Sequence, residues 1–151
     1  MPMLRKTIAV DRPPEEVFDY LTRVEHHREW SPKPWRVEGR PGPLTGGARF
    51  TSYGWIPGDK DHCNEVEVTE CTPPSRIAWA ATEKEGRFVS TFVLTPDGSG
   101  TKVQRTFEYP HPRGFIRAIF PLISATIVKP NFNKGLDMLQ QRLEGGNGRK
   151  P

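Results

Sequence analysis

His62, Asn64, Ser90, Arg105 and Tyr109 share a property that spacing alone reveals: each lies an even number of residues from an apolar neighbour that a strand would turn inward. Side chains alternate across a strand, so taking Val66, Val68, Phe92, Leu94, Val103 and Phe107 as inward carries this polar set to the same face. A guanidinium on an otherwise apolar face needs a partner, because an unpaired buried charge costs several kcal/mol. Arg105 is therefore a candidate to hold a carboxylate or enolate oxygen of a ligand, with His62 as proton donor or base and Tyr109 orienting it. Two alternatives stand beside this reading. One β-bulge would reverse the parity, or Arg105 would pair with Glu65, Glu67 or Glu108 at the rim.

Other chemistries find little support. His26-His27 and His62-Cys63 are the only clusters that suggest a metal, but adjacent strand side chains point to opposite faces, and no Cys-x-x-Cys or His-x-x-x-His pair is present, so no metal is expected. Gly98-Ser99-Gly100 falls between strands and is not followed by a helix carrying Lys-Ser/Thr, which excludes a phosphate loop. No Gly-x-Ser-x-Gly elbow exists, and Ser90 lies mid-strand, so a hydrolase triad is not expected either. No cofactor is called for. Trp30, Trp35, Trp55 and Trp79 each offer area and one donor, suited to stacking on a planar ligand or to core packing; Trp79 is placed inward and Trp55 near a rim. Asn131, directly after Pro130, suits a cap more than a pocket.

These side chains need elements to hold them. Leu4 to Val10 alternates as a short edge strand, and a helix follows in which Pro13 and Pro14 occupy the first turn, Glu15 and Glu16 complement its positive end, and Val17, Tyr20, Leu21 and Val24 form the apolar stripe. A second helical piece, Glu25 to Trp30, stops before Ser31-Pro32. Six alternating segments come next: Trp35 to Arg40, Ala48 to Ile56, Lys60 to Cys71, Arg76 to Glu83, Arg87 to Thr95 and Thr101 to Tyr109. Turn residues divide them, at Pro41-Gly42-Pro43 with Gly46-Gly47, Pro57-Gly58-Asp59, Pro73-Pro74, Glu85-Gly86 and Asp97 to Gly100. Such short links require antiparallel neighbours.

From Pro112 to about Leu143 the pattern turns helical. Ala125, Val128, Phe132, Leu136, Leu139 and Leu143 form one stripe, fit to lie across a concave sheet, while Ile116, Ile119, Phe120, Ile123 and Ile127 fall on roughly the opposite side. Either the axis is reset at Pro121 or Pro130, or the first half offers an apolar surface to a ligand, a second chain or a membrane. The run Phe115 to Val128, interrupted by Arg117 and Pro121, is too short to span a bilayer. With Ala125 and Gly135 on or beside the inward stripe, one helix cannot fill the concave side, and a cavity is expected; aromatic plugging from the sheet is the alternative.

Composition sets the frame. At 151 residues one domain is the default, over residues 1–144, with Gly145 to Pro151 as a disordered tail. Leu, Ile, Val and Phe make up about 22% of the chain, enough to fold. Gly and Pro, at 14 and 16, punctuate short elements and exclude collagen and coiled coil. The net charge of +4 is spread along the chain, without the basic run of a nucleic-acid arm. Met1 to Val10 lacks the apolar core of a secretory signal. Cys63 and Cys71, about 27 Å apart along one strand, cannot bridge, and free thiols fit a cytoplasmic location.

The element order, with Pro13-Pro14-Glu15-Glu16-Val17-Phe18-Asp19-Tyr20-Leu21 and Trp30-Ser31-Pro32, resembles the polyketide cyclase/dehydrase branch of the START-like, or SRPBCC, superfamily. Also similar are Gly47-Ala48-Arg49-Phe50, the stretch Glu70 to Trp79, and Gly100-Thr101-Lys102-Val103, so that nearly the whole chain is covered. The resemblance implies an α+β helix-grip fold: a curved antiparallel sheet of about seven strands wrapped on a long C-terminal helix, with two short helices after the first strand and a deep cavity between them. It implies binding of a hydrophobic or amphipathic small molecule, as a lipid or metabolite carrier or with polyketide cyclase/dehydrase activity, catalysis being left open for want of a motif. The expected cavity wall comprises Phe50, His62, Asn64, Val66, Trp79, Ser90, Phe92, Arg105 and Tyr109 from the sheet. Ile119, Ile123, Ala125, Val128 and Phe132 complete it from the helix. The alternative is a protein-interaction module docking through Ile116 to Ile127. A monomer or weak homodimer is expected, with no nucleic-acid partner and no integral membrane segment.

Overall fold

The computed structural model describes residues 2–39, 42–56, 58–83 and 86–145. Strand β1 (Met3–Val10) leads into helix α1 (Pro14–Thr22) and a 3-10 helix (Val24–Trp30). Strands β2 (Arg36–Val37), β3 (Arg49–Ile56), β4 (Asp59–Thr72), β5 (Arg76–Glu83), β6 (Gly86–Asp97) and β7 (Gly100–Glu108) follow. All pair antiparallel, in the order β1-β7-β6-β5-β4-β3-β2. Helix α2 (Gly114–Ile123), a π turn (Ser124–Val128) and helix α3 (Lys129–Gly145) complete the chain, and the curved sheet grips α3. The expected helix-grip architecture is the observed one.

The strands expected from Ala48 onward match to within one or two residues at each end; the segment at Trp35 shrinks to the two-residue β2, its predicted end at Arg40 lying outside the described residues. Pro41, Pro57 and Glu85 of the predicted turns also lie outside them, as does the predicted tail apart from Gly145, which ends α3. Two bulges interrupt the ladders, between Gly54 and Ile56 on β3 and between Val68 and Glu70 on β4. Both fall beyond the stretches His62–Val68, Ser90–Phe92 and Val103–Phe107, so alternation is unbroken there. In α1, Val17 and Leu21 are buried as the stripe requires, and Phe18 is buried beside them.

The C-terminal stripe is buried over one half and displaced over the other. Phe132, Leu136, Leu139 and Leu143 are buried on α3, against β1 and the 3-10 helix. Burying each of these side chains is worth about 1.5–3 kcal/mol. Ala125, expected on the same stripe, is exposed, and Val128 is half-buried. The cause is the π turn, whose closing bond runs from the Lys129 N–H to the Ser124 carbonyl. Its extra residue rotates everything upstream by about 100°. The turn ends where Pro130 can offer no N–H and would crowd the carbonyl four residues before it. The reset therefore occupies a whole turn ahead of Pro130, and Pro121 is absorbed inside α2.

Gly135 explains how closely the helix approaches. A Cβ there would stand 3.3 Å from the Trp30 carbonyl oxygen and 3.8 Å from an Arg105 Nη. An added methyl would press on that carbonyl, and glycine lets α3 seat there without the strain.

Candidate functional site

Between the inner face of the sheet and the 3-10 helix lies an open hollow of about 380 Å³. The register shows how the sheet builds it: Phe50 pairs with Val66, Ser52 with Asn64 and Gly54 with His62 across β3 and β4. Val66 faces Ala81 on β5, and Ala81 faces Phe88 on β6. From the other side, the 3-10 helix supplies His27 and Trp30, and the segment after it supplies Ser31, Pro32 and Trp35. Trp79, Glu83, Arg105 and Phe107 also line the space, with Trp55 among its walls.

The aromatic wall is tightly coupled. The His27 ring lies 5.1 Å from Trp79, 5.2 Å from Trp30 and 5.6 Å from Trp35. His27 Nε2 donates to the Leu21 carbonyl at 2.8 Å, and burial lowers its pKa to about 4. The ring is neutral at pH 7 and forms part of the aromatic surface.

Arg105 sits among rings. Its guanidinium carbon is 5.1 Å from the Phe132 centroid, 5.4 Å from Trp30, 5.5 Å from Phe92 and 5.7 Å from Phe107. Each such contact is worth about 0.5–2 kcal/mol, which offsets part of the desolvation. Its Nε donates to Ser90 Oγ at 3.2 Å. Among the described residues no carboxylate lies within 4.0 Å of it. Burial lowers its pKa to about 10, which still leaves it charged at neutral pH. The rim acids are engaged elsewhere: Glu65 accepts from Thr51, and Glu67 pairs with Arg49.

His62 has a different setting. Its Nε2 contacts Glu83, whose side chain is buried and lines the hollow, and its Nδ1 lies 3.4 Å from a carboxylate oxygen of Asp59, half exposed at the hairpin. With an acceptor on each side, both ring nitrogens donate when the imidazole is protonated. The arrangement runs from solvent through the imidazole to a carboxylate on the hollow, a layout able to deliver or remove a proton.

Of the predicted wall, Phe50, His62, Asn64, Val66, Trp79 and Arg105 are brought together around this space. Ser90 and Phe92 share the inner face but stand behind the Arg105 guanidinium, and Phe132 packs on it from α3. Tyr109 lies past the end of β7, 6.0 Å from Phe107 and 5.6 Å from Phe120 of α2, and does not line the hollow. Ile119, Ile123, Ala125 and Val128 do not line it either, because the π turn swings this half of the segment away. Sequence reasoning missed Glu83, Ser52 and His27. Glu83 is four residues beyond Trp79 and Ser52 two beyond Phe50, so the same alternation holds the signal for both; the signal for His27 is the three-residue step Val24, His27, Trp30 of the 3-10 helix.

Among the described residues no group of three or more His, Cys, Asp or Glu side chains is placed to hold a metal ion, and no helix is long and apolar enough to cross a membrane. No curated protein matches the chain by sequence. Among solved structures, it is similar to TTHA0849 from Thermus thermophilus, with a TM-score of 0.76 and 20% identity over 97% of this chain and 100% of that one. It is also similar to the Aha1 dimer from Colwellia psychrerythraea, with a TM-score of 0.68 and 18% identity over 98% and 100% of the two chains. DynU16, described as a putative protein in the dynemicin biosynthetic locus, gives a TM-score of 0.64 and 19% identity over 95% of this chain and 48% of its own. At these identities the likeness is one of fold. The sequence itself carries the stronger finding, for the model described as polyketide cyclase / dehydrase and lipid transport matches residues 1–144, and the chain belongs to that family.

Proposed function

We propose that residues 1–144 act as one unit that binds a hydrophobic or amphipathic small molecule in the hollow. The observation that carries this reading is a solvent-connected space of about 380 Å³ walled by Trp30, Trp35 and Trp79. Apolar surface facing water inside a concavity is stabilised by about 25 cal/mol per Å² when a ligand covers it. The family supplies both carriers and cyclases. For a poly-keto ligand, His62 with Glu83 moves the proton and Arg105 carries the opposing charge, while Tyr109, packed on Phe120, takes no part. The free thiols of Cys63 and Cys71 support a cytoplasmic location.

The test is titration with the neutral fluorophore N-phenyl-1-naphthylamine. The expected result is binding at unit stoichiometry that quenches tryptophan emission, weakened at least tenfold by Ala81→Trp, which fills the floor of the hollow. Binding of neither this probe nor its anionic relative 8-anilinonaphthalene-1-sulfonate, or binding indifferent to that substitution, overturns the reading.

A second reading has its own observation. Helix α2 buries no residue, and Phe115 and Leu122 are 76% and 67% exposed. We infer that this face pairs with a second copy of the chain. The dimer reported for the Colwellia protein of the same fold supports it.

A further inference from the structure

Two side chains lining the hollow carry donors that no described residue satisfies. The Trp30 indole Nε1 is buried and, among the described residues, meets no acceptor. The Arg105 guanidinium, 5.4 Å from that same indole ring, spends only Nε on a hydroxyl, and its remaining N–H groups have no carboxylate among the described residues. The other charged groups facing the space do not compensate. Glu83, the only carboxylate among its described lining residues, contacts His62, and His27 gives its one N–H to the Leu21 carbonyl. Buried donors without acceptors are rare in folded proteins, and a cation wrapped in rings is held in place without being neutralised. Both residues line the same opening.

We propose that the ligand is an amphipathic anion, whose carboxylate or enolate oxygen is held by Arg105 and the Trp30 indole N–H while its apolar body packs on the aromatic wall. This rests on the hollow being a binding site and adds the class of molecule it selects. A guanidinium fork donates paired N–H groups to a carboxylate, and the neighbouring indole adds a third donor. A neutral ligand of the same shape would leave all of them unpaired, and a site built to hydrogen-bond a group discriminates strongly against analogues that lack it.

Two near-isosteric probes separate the possibilities: 2-naphthoate and 2-naphthalenemethanol, titrated calorimetrically at pH 7. The expected result is at least tenfold tighter binding of the carboxylate. Arg105→Met should shrink that gap to less than twofold, and Trp30→Phe, which keeps an aromatic ring and removes the N–H, should narrow it severalfold. Equal binding of both probes to the wild type overturns the anion assignment and leaves the hollow as a binding site, whereas failure of both probes sinks the binding reading and this one with it. If Arg105→Met does not fold, the wild-type ratio and Trp30→Phe still decide.

Discussion

His27 is a residue whose protonation the fold opposes. Burial holds its pKa near 4, below the ordinary 6.5, so the unfolded chain takes up a proton here that the native chain refuses. Its contribution to stability is complete above pH 6.5, falls as the pH drops from there toward 4, and levels off below, a loss of up to about 3 kcal/mol. Urea denaturation between pH 8 and 4 should show this loss, and His27→Gln, which keeps a donor for the Leu21 carbonyl, should flatten that part of the profile relative to wild type. Parallel profiles would show that the ring does not titrate as its burial implies. At this scale the sequence is legible where alternation rules. His62, Asn64 and Arg105 follow from their neighbours two residues away, and Glu83 was available by the same count. His27 was overlooked, although Val24, His27 and Trp30 recur at the three-residue step of a 3-10 helix.

At the scale of elements, the strands were legible because Gly and Pro mark their ends and their β-branched and aromatic residues recur every second position. The C-terminal helix was legible only from Phe132 onward, since the inserted residue of the π turn depends on how Pro130 is accommodated. The junction of β1 and β7 shows how narrow the tolerance of such elements is. A Cβ on Gly100 would stand 2.6 Å from the Val10 carbonyl oxygen, and both belong to a paired backbone that has no room to move. Gly100→Ala is expected to destabilise the protein by about 2 kcal/mol. Gly46→Ala, where an added methyl meets nothing within 4 Å, should change it by less than about 0.5 kcal/mol. Equal denaturation midpoints for the two variants would refute the contact.

At the scale of the whole molecule, α2 presents an apolar face that none of the described residues covers. Phe120 of α2 reaches Tyr109, but Phe115, Ile116 and Leu122 are exposed. If a second copy covers them, sedimentation velocity at increasing concentration should show a dimer, and Leu122→Asp should return it to monomer. The same species at every concentration for both proteins would exclude pairing through α2. That the segment has two apolar sides is visible in its sequence; which of them the body keeps is decided by the phase that the π turn imposes.

The first and last strands of the sequence are neighbours in the sheet. Val10 lies opposite Thr101 and Met3 opposite Glu108, so the first strand of the sheet in chain order is the partner of the last. Until β7 has been synthesised, β1 has no edge to pair with, and its closure ranks among the long-range steps that slow folding. Closure of this side of the sheet therefore waits on β7, and a chain stopped before Gly100 would carry an open hand.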